Sequence, residues 1–566
     1  MTRTPPPASS QSTPLHCHPE RSETKWSEVE GPAVPLGSHH VILSEVKRSG
    51  ARDLSPITSQ LRSATNRNLL QTLLQILLLL ALATPAYAHV GSPDVYEEGN
   101  AGPYKLFVVV RPPQVIPGVA EIEARSQAPG IDRIEITPIP LTGEASQHPP
   151  VPDTMKKPSS DAQFFTGHLW IMATGSWQVR FNVTGSQGAG VLSIPLPATA
   201  SLTRKMQPGL GIVLACLGLL LLVGMIGIIG AAAREAQLPP GAATPPVRVR
   251  RSYIAMAVTL AVLVAAVILG NKWWSAEAAD YANYIYKPLQ MSSSLQPGNV
   301  LDLKLTDPGW LKQRKLDDFI PDHDHLMHLY MIRWPGMGVV FHLHPQPVAT
   351  GDFHLALPTI PAGDYRLYAD VVHANGFPET TVSEIKLPYI AGRALQGDDA
   401  EGTAAPLTWN GGESQTNNSY KLPDGYTMVW KKPAQLVAKA PQEFSFTLLD
   451  PNGQPPKDMA LYMGMTGHAA FVRNDGSVFA HIHPSGSASM AAMMMAQSQN
   501  QPSPSKPSAD MASMSGMTMS ESAPPNVVSF PYGLPTDGIY RIFVQMKHGE
   551  TVETGVFDAE AERSQQ

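Results

Sequence analysis

Two stretches of the chain end in the same short pattern of imidazoles. Residues 328 to 345 run from His328 to His342-Leu343-His344-Pro345, and residues 468 to 484 run from His468 to His481-Ile482-His483-Pro484. Side chains at i and i+2 of a strand share a face, so each HxH offers two rings side by side. Neutral imidazole suits copper, zinc, nickel or iron. The match extends further. Tyr365-Arg366 is followed by His373 and Tyr540-Arg541 by His548, each eight residues after the tyrosine, and upstream Asp307-Pro308 is matched by Asp450-Pro451.

Turn parity decides whether these rings meet. A three- or five-residue turn around Pro335-Gly336 sets His328 opposite His342 or His344. A two-residue type I′ turn at Asp475-Gly476 sets His468 opposite His483. One residue more would move His468 to the other face. If the Tyr-Arg strand lies beside the hairpin, His373 and His548 complete a tetrad in each copy. The candidate metal ligands are therefore His328, His342, His344 and His373, then His468, His481, His483 and His548, with His323 and His325 just before the first hairpin as further candidates. The plain alternative is that the HxHP ends are rim features bonded to backbone and that the repeat records shared ancestry. His354 has no counterpart and reads as a surface histidine.

Directly after the second HxHP comes a segment, 485–526, rich in methionine among Ser, Pro, Gln and Ala. It has no β pattern and reads as a loop. Met493, Met494, Met495, Met517 and Met519 are candidate thioether ligands, since sulfur of this kind selects Cu(I). The bland reading is low-complexity drift. Copper is the expected metal, with zinc as the alternative. The chain has two cysteines, Cys17 and Cys216. The first lies in the leader and the second in an apolar run, so the folded parts have neither disulfide nor thiolate site. Net charge is −6, and no basic run outside the leader points to nucleic acid.

The elements that must position these residues follow from patterning. Residues 1–66 are rich in Pro, Ser and charge and read as a disordered leader, with the translation start expected further on, near Arg62. Residues 67–88 combine a basic flank, an apolar run and Ala86-Tyr87-Ala88, the form of a secretory signal peptide, the alternative being an uncleaved membrane anchor. Cleavage there would expose His89, whose amine and ring could chelate Cu(II) with help from His168 or His148. Residues 89–205 hold about seven strand-like runs separated by Gly and Pro, as in an immunoglobulin-like β-sandwich.

Residues 209–233 and 253–270 are apolar enough to cross a bilayer. The 234–252 loop carries Arg234, Arg248, Arg250 and Arg251 and belongs in the cytoplasm. Gly218, Gly224, Gly227 and Gly230 would allow the spans to pack closely. Residues 285–392 and 425–560 are the two repeats, joined by a polar linker, 395–422. The expectation is a mainly β chain: three immunoglobulin-like β-sandwich domains outside the membrane plus two transmembrane helices, with the large soluble parts on the periplasmic side of the inner membrane.

The first exported part, with AGPYKLFVVVRPP, IPGVAEIEA and GSWQVRFNVTG, resembles the YtkA-like/FixH-like β-sandwich domains of bacterial envelope proteins over about 110 residues. The repeats, with MHLYMIR, FHLHP and PAGDYRLYADVVHANG, resemble tandem secreted modules associated with heavy-metal handling. The Met-rich insert resembles those of periplasmic copper-resistance proteins. These resemblances imply an envelope location and copper binding. Three functions then compete. The first is a membrane-anchored protein that captures copper or passes it to a transporter or other envelope protein. The second is a scaffold that binds a protein partner and no metal. The third is a cupin-like metalloenzyme, disfavoured because no Glu follows the HxH and His373 lies ten residues past Gly363. The expectation is a binding protein, not an enzyme.

Overall fold

In the computed structural model, residues 93–203, 206–310, 314–408, 418–500 and 523–564 are described, all within the unit Tyr87–Gln566. The signal segment, His89, Met517 and Met519 lie outside these residues.

Among the described residues strands dominate, and the named strands all pair antiparallel within six sheets. In the N-terminal part, β1 (Val95–Ala101), β2 (Tyr104–Arg111), β3 (Gly118–Ser126) and β6 (Phe164–Ile171) make one sheet in the order β1-β2-β3-β6. The other, in the order β5-β4-β7-β8, holds β4 (Ile131–Pro140), β5 (Asp153–Thr154), β7 (Gly175–Gly185) and β8 (Gly188–Ala198). Alternating residues such as Leu106, Val108, Ile122, Ile136, Phe181 and Ile194 fill one buried cluster from both sheets. This is the period-2 pattern of a sandwich whose outer faces meet water.

Two long apolar helices follow, Pro208–Glu235 and Pro246–Ala282, with mean hydropathies of 3.0 and 2.5 over their most apolar 18 residues. Neither window is buried inside the protein, and both are long enough to span a membrane. The second helix runs past the apolar 253–270 stretch at both ends. Of the four glycines expected to let the helices approach, only Gly230 meets its neighbour. A Cβ there would lie 2.7 Å from Met256 Sδ, and Ser252 Oγ donates to Gly230 O at 2.7 Å. Nothing lies within 4 Å of a Cβ at Gly218, Gly224 or Gly227.

Each repeat is a second kind of sandwich. In the first, β9 (Gln290–Gln296), β10 (Val300–Thr306), β13 (Gln346–Ala349) and β14 (Asp352–Ala356) form an outer sheet. The inner sheet runs β16-β15-β11-β12-β17, from β11 (His328–Arg333), β12 (Val339–Leu343), β15 (Gly363–Val372), β16 (Pro378–Leu387) and β17 (Ala400–Thr403). Strand β17 comes from the segment that reads as a linker. In the second repeat, β18 (Ser419–Lys421), β19 (Thr427–Lys431), β20 (Gln442–Leu449) and β24 (Val527–Tyr532) make the outer sheet. The inner sheet contains β21 (Met459–Ala460), β25 (Gly538–His548), β22 (His468–Arg473) and β23 (Phe479–Ile482), with β26 (Thr551–Ala561) also on β25.

The two inner sheets pack on each other through the faces turned away from their own cores. Tyr330, Ile332, Val340 and Tyr368 of the first repeat meet Ala470, Val472, Phe479 and Phe543 of the second in one buried cluster. Tyr368 stacks on Phe479 with centroids 4.3 Å apart and planes at 6°. Strand β11 is therefore covered on both sides, which is why HLYMI is buried at every position and reads as an unbroken apolar run.

The methionine-rich segment is not loop throughout. Met490–Ser498 is a helix capped by Ser489, whose side chain accepts from Ala492 N. It lies against the N-terminal sandwich: Met493 is 6% exposed within that sandwich's core, and Met495 packs with Leu141, Ala492 and Ala496. Beyond it, Gln499 bonds Gln178 and the carbonyl of Leu141.

Candidate metal centre

The hairpins place the rings through their registers. In the first repeat, Leu329 pairs with Leu343 and Tyr330 with His342. The five residues 334–338 join the strands, and His328, Tyr330, His342 and His344 share a face. In the second, Ala469 pairs with Ile482, which puts His468 beside His483. The turn is not type I′, however. Gly476 has φ +71° whereas Asp475 has no positive φ. The loop closes at Arg473 and Val478, with Gly476 N donating to Arg473 O, and has the same parity as the shorter turn.

Because these faces form the contact between the repeats, the two sets of rings fuse into one cluster. His481 lies 5.5 Å from His328 and 5.4 Å from His342, centroid to centroid. The preceding turn adds two more rings. Asp322–His325 closes by bonds from Asp322 N to His325 O and back, with positive φ at His323 and Asp324. It aims His323 at the second repeat, 4.9 Å from His468 and 5.0 Å from His483. His325 stays with the first, stacked 3.8 Å from His344.

Two triads result. Ring nitrogens of His328, His342 and His344 lie within 4.8 Å of one another, as do those of His323, His468 and His483. Hydrogen-bond partners fix which nitrogens carry protons. At the first site, His328 Nε2 donates to Asp322 O at 2.9 Å, His342 Nδ1 to Gln545 Oε1 at 2.9 Å, and His344 Nδ1 to Asp399 Oδ1 at 3.1 Å. The remaining lone pairs point inward, and His328 Nδ1 and His342 Nε2 stand 3.2 Å apart. At the second site, His483 Nδ1 donates to Ala488 O at 3.2 Å. His468 Nδ1 lies 3.1 Å from His481 Nε2, and His481 Nδ1 faces Asp370 Oδ2 at 3.4 Å. That relay leaves His468 Nε2 free.

The Nε2 atoms of His323, His344, His468 and His483 are buried and have no hydrogen-bond partner. A buried polar atom left so costs about 1–3 kcal/mol. Metal-ligating histidines characteristically donate their other N–H to a protein acceptor, and five rings here do so. Burial, reinforced by the neighbouring rings, pushes His328, His342, His468 and His481 well below the ordinary imidazole value. Burial likewise takes His483 down to about 4. These five rings are thus neutral, with lone pairs available, across the physiological range. His325 is the more open edge of the first site, its side chain 20% exposed beside Asp398.

His373 and His548 do not join. Register pairs His328 with Asp370 and His468 with Gln545, so positions 370 and 545 face the cluster. Residues three further on face the opposite side. His373 instead bonds Asp318 at 2.7 Å and Glu379 at 3.0 Å. Burial alone would lower its pKa, but those two carboxylates outweigh it and raise the value. His548 sits among Asp424, Asp458 and Glu553. Nor does the short helix supply thioethers: Met493 and Met495 are packing residues, and Met494 is 59% exposed. His354 lies 3.2 Å from Asp302 and is half-exposed. The contributions that sequence reasoning missed are Asp370, Gln545 and Asp399, which hold ring nitrogens. A strand-parity count from the Tyr-Arg positions would have found the first two.

A family model described as a domain of unknown function (DUF8832) matches residues 420–563, the second repeat. Comparison with curated proteins gives no match. Among solved structures, the chain is similar to a tetra-tandem repeat from the extending region of a large adhesion protein, at 9% identity, covering 79% of this chain and 71% of that one, with a TM-score of 0.16. It is also similar to the ICAM-5 D1–D4 ectodomain fragment, at 8% identity, 81% and 77% coverage and a TM-score of 0.13. A third is the alpha-2-macroglobulin of E. coli in its native conformation, at 10% identity, 81% and 25% coverage and a TM-score of 0.14. Scores of this size carry no argument about what this chain does. What the chain itself presents is a mainly β protein with two helices able to span a membrane and histidine clusters able to hold metal ions.

Proposed function

We propose that this is a membrane-anchored protein that binds copper at two adjoining imidazole sites between its repeats, and that it captures the ion or passes it on. The observation that carries the reading is the set of four buried Nε2 atoms without hydrogen bonds, gathered from both repeats. A metal ion is the one partner that three converging neutral lone pairs can share. The donor sets hold no carboxylate, which favours copper or zinc over magnesium, calcium or manganese.

Methionine favours copper over zinc. The turn Tyr462–Met465 is the counterpart of Asp322–His325, closed by the same pair of bonds, with φ +49° at both Met463 and His323. His323 crosses to the second repeat's triad. Met463 packs with Ala400, the strand partner of His342, which puts a thioether-bearing residue in the neighbourhood of the first triad. The signal-like segment 67–88, the arginine-rich 234–252 loop and the resemblance to YtkA-like/FixH-like envelope domains support a periplasmic location for the sandwiches. Copper transfer, rather than a reaction, is the activity proposed.

The test is copper titration of the purified full-length chain in detergent, with a chromophoric Cu(I) chelator as competitor. The expected result is two tightly held ions per chain, both lost in a His342→Ala/His483→Ala variant. Absence of uptake under both reducing and oxidising conditions would refute the reading.

A further inference from the structure

The repeat provides its own comparison for the histidine that stands outside the cluster in each copy. His373 is held by Asp318 and Glu379, and His548 faces Asp458 and Glu553. Asp318 and Asp458 both lie ten residues before the first histidine of their hairpin, so the two groups are counterparts. Their charge balance differs. In the first repeat Arg314 enters the group, bonding both Asp307 and Glu379, and Tyr286 donates to Glu379 at 2.7 Å. In the second repeat the residue four before Asp458 is Gln454. The backbone matches, since Arg314 N donates to Asp307 and Gln454 N donates to Asp450. The guanidinium, however, is gone.

What replaces the arginine is a further carboxylate. Asp424 Oδ2 lies 3.4 Å from His548 Nε2, and Glu553 Oε1 lies 3.5 Å from the same atom. His548 is 8% exposed, and its Nε2 is buried without a hydrogen bond while aimed between these two oxygens. Its other nitrogen faces Asp458 Oδ2 at 3.3 Å, and Tyr426 stacks on the ring at 4.0 Å. The ring is therefore oriented from one side and open on the other, as ligating histidines are. Glu553 is 6% exposed. Burial and the nearby Asp424 push its pKa up to about 7, the behaviour of a carboxylate without a sufficient countercharge.

We propose that Asp424, His548 and Glu553 form a third cation site, harder than the imidazole triads, which takes a divalent ion such as Mn2+ or Zn2+ where the first repeat uses Arg314. Ligand atoms of the three residues lie within 4.8 Å of one another. One nitrogen and two carboxylates match ions that prefer oxygen and tolerate imidazole, and they do not suit Cu(I). The ion would join two separate segments, the turn before β19 and the tip of the β25–β26 hairpin. The proposal stands apart from the copper reading, since it shares no residue with either triad.

The experiment is Mn2+ titration of the full-length chain in detergent, followed by loss of the free-ion EPR signal. It is run on the parent, on Glu553→Gln, and on the His342→Ala/His483→Ala variant. The expected result is one Mn2+ per chain, retained when the triads are disabled and weakened at least tenfold by Glu553→Gln. Copper uptake by Glu553→Gln should equal that of the parent, which shows that the variant is folded. No Mn2+ bound, or binding indifferent to Glu553→Gln, would overturn the proposal and leave His548 held by Asp424, Asp458 and Glu553 alone.

Discussion

Gln545 of the second repeat holds His342 of the first, its Oε1 2.9 Å from the ring Nδ1. The reverse contact also exists, because Asp370 of the first repeat faces His481 of the second. These two residues occupy equivalent places on β25 and β15, so each repeat orients a ring of the other. Gln545 is the nearer of two acceptors on His342 Nδ1, with the Tyr462 hydroxyl at 3.2 Å, and together they fix the tautomer that turns the His342 Nε2 lone pair inward. Replacing Gln545 by Leu removes that acceptor and should weaken metal binding at the first triad by about 10- to 100-fold, the usual scale for such partners. The second triad should be unaffected. A biphasic competition curve, with one phase displaced, would report this.

His323 belongs to the first repeat by sequence and to the second repeat's triad by position. The variant His323→Ala should therefore empty the site built on His468 and His483 while the site of His328, His342 and His344 still fills. Metal-to-protein ratios measured for His323→Ala, His344→Ala and the double variant should read one, one and none. If His323→Ala and His344→Ala instead affect the same ion, the crossed assignment is wrong.

Because ligands and their orienting partners come from both repeats, the apolar contact between the sheets should govern both sites together. Phe479 is 1% exposed and stacked on Tyr368. Truncating a buried Phe to Ala costs about 3–5 kcal/mol. Phe479→Ala should lower the thermal midpoint of the apo protein and weaken both ions in parallel, although the residue touches neither triad's bare nitrogens. Selective loss of one ion would contradict a shared interface.

Much of this centre was legible in the sequence. The HxH spacing and the hairpin parity set His342 beside His344 and His468 beside His483. What local patterning could not show was which surfaces meet. The all-buried run of β11 signals a strand covered on both sides, but only the fold reveals that the second cover is the other repeat. The same limit misplaced Met493. A methionine-rich segment among Ser and Gln has no core nearby in sequence, whereas its core is the N-terminal sandwich, far earlier in the chain, with Leu192 and Ala198 in the same buried cluster. Nearness in sequence to the Tyr-Arg strand suggests the cluster for His373 and His548, yet strand parity turns them to the opposite face. Met493→Leu should accordingly leave Cu(I) binding unchanged in the competition assay, since that side chain fills space.

Glu97 gives a prediction about pH. It lies on β1, fully buried, beneath the 485–488 segment whose Ala488 carbonyl accepts from His483. Its Oε2 is 3.4 Å from Ala488 N, and its Oε1 has no hydrogen bond. Burial pushes its pKa up to about 8, against about 4.3 for an unfolded glutamate. Between those values the native state holds a proton that the unfolded state has released. Stability must therefore fall as pH rises through this window, by at most about 1.4 kcal/mol per unit from this group. Glu97→Gln keeps the shape and removes the titration. Its stability advantage over the parent should be small near pH 5 and grow towards pH 8, as followed by denaturant unfolding at each pH. Other buried acids such as Asp370 and Glu553 also titrate near 7, so the difference between the two proteins, and not the parent's own profile, isolates Glu97. A difference that stays constant across the window would mean that Glu97 is already ionised at pH 5 and that the 485–488 segment stabilises its charge.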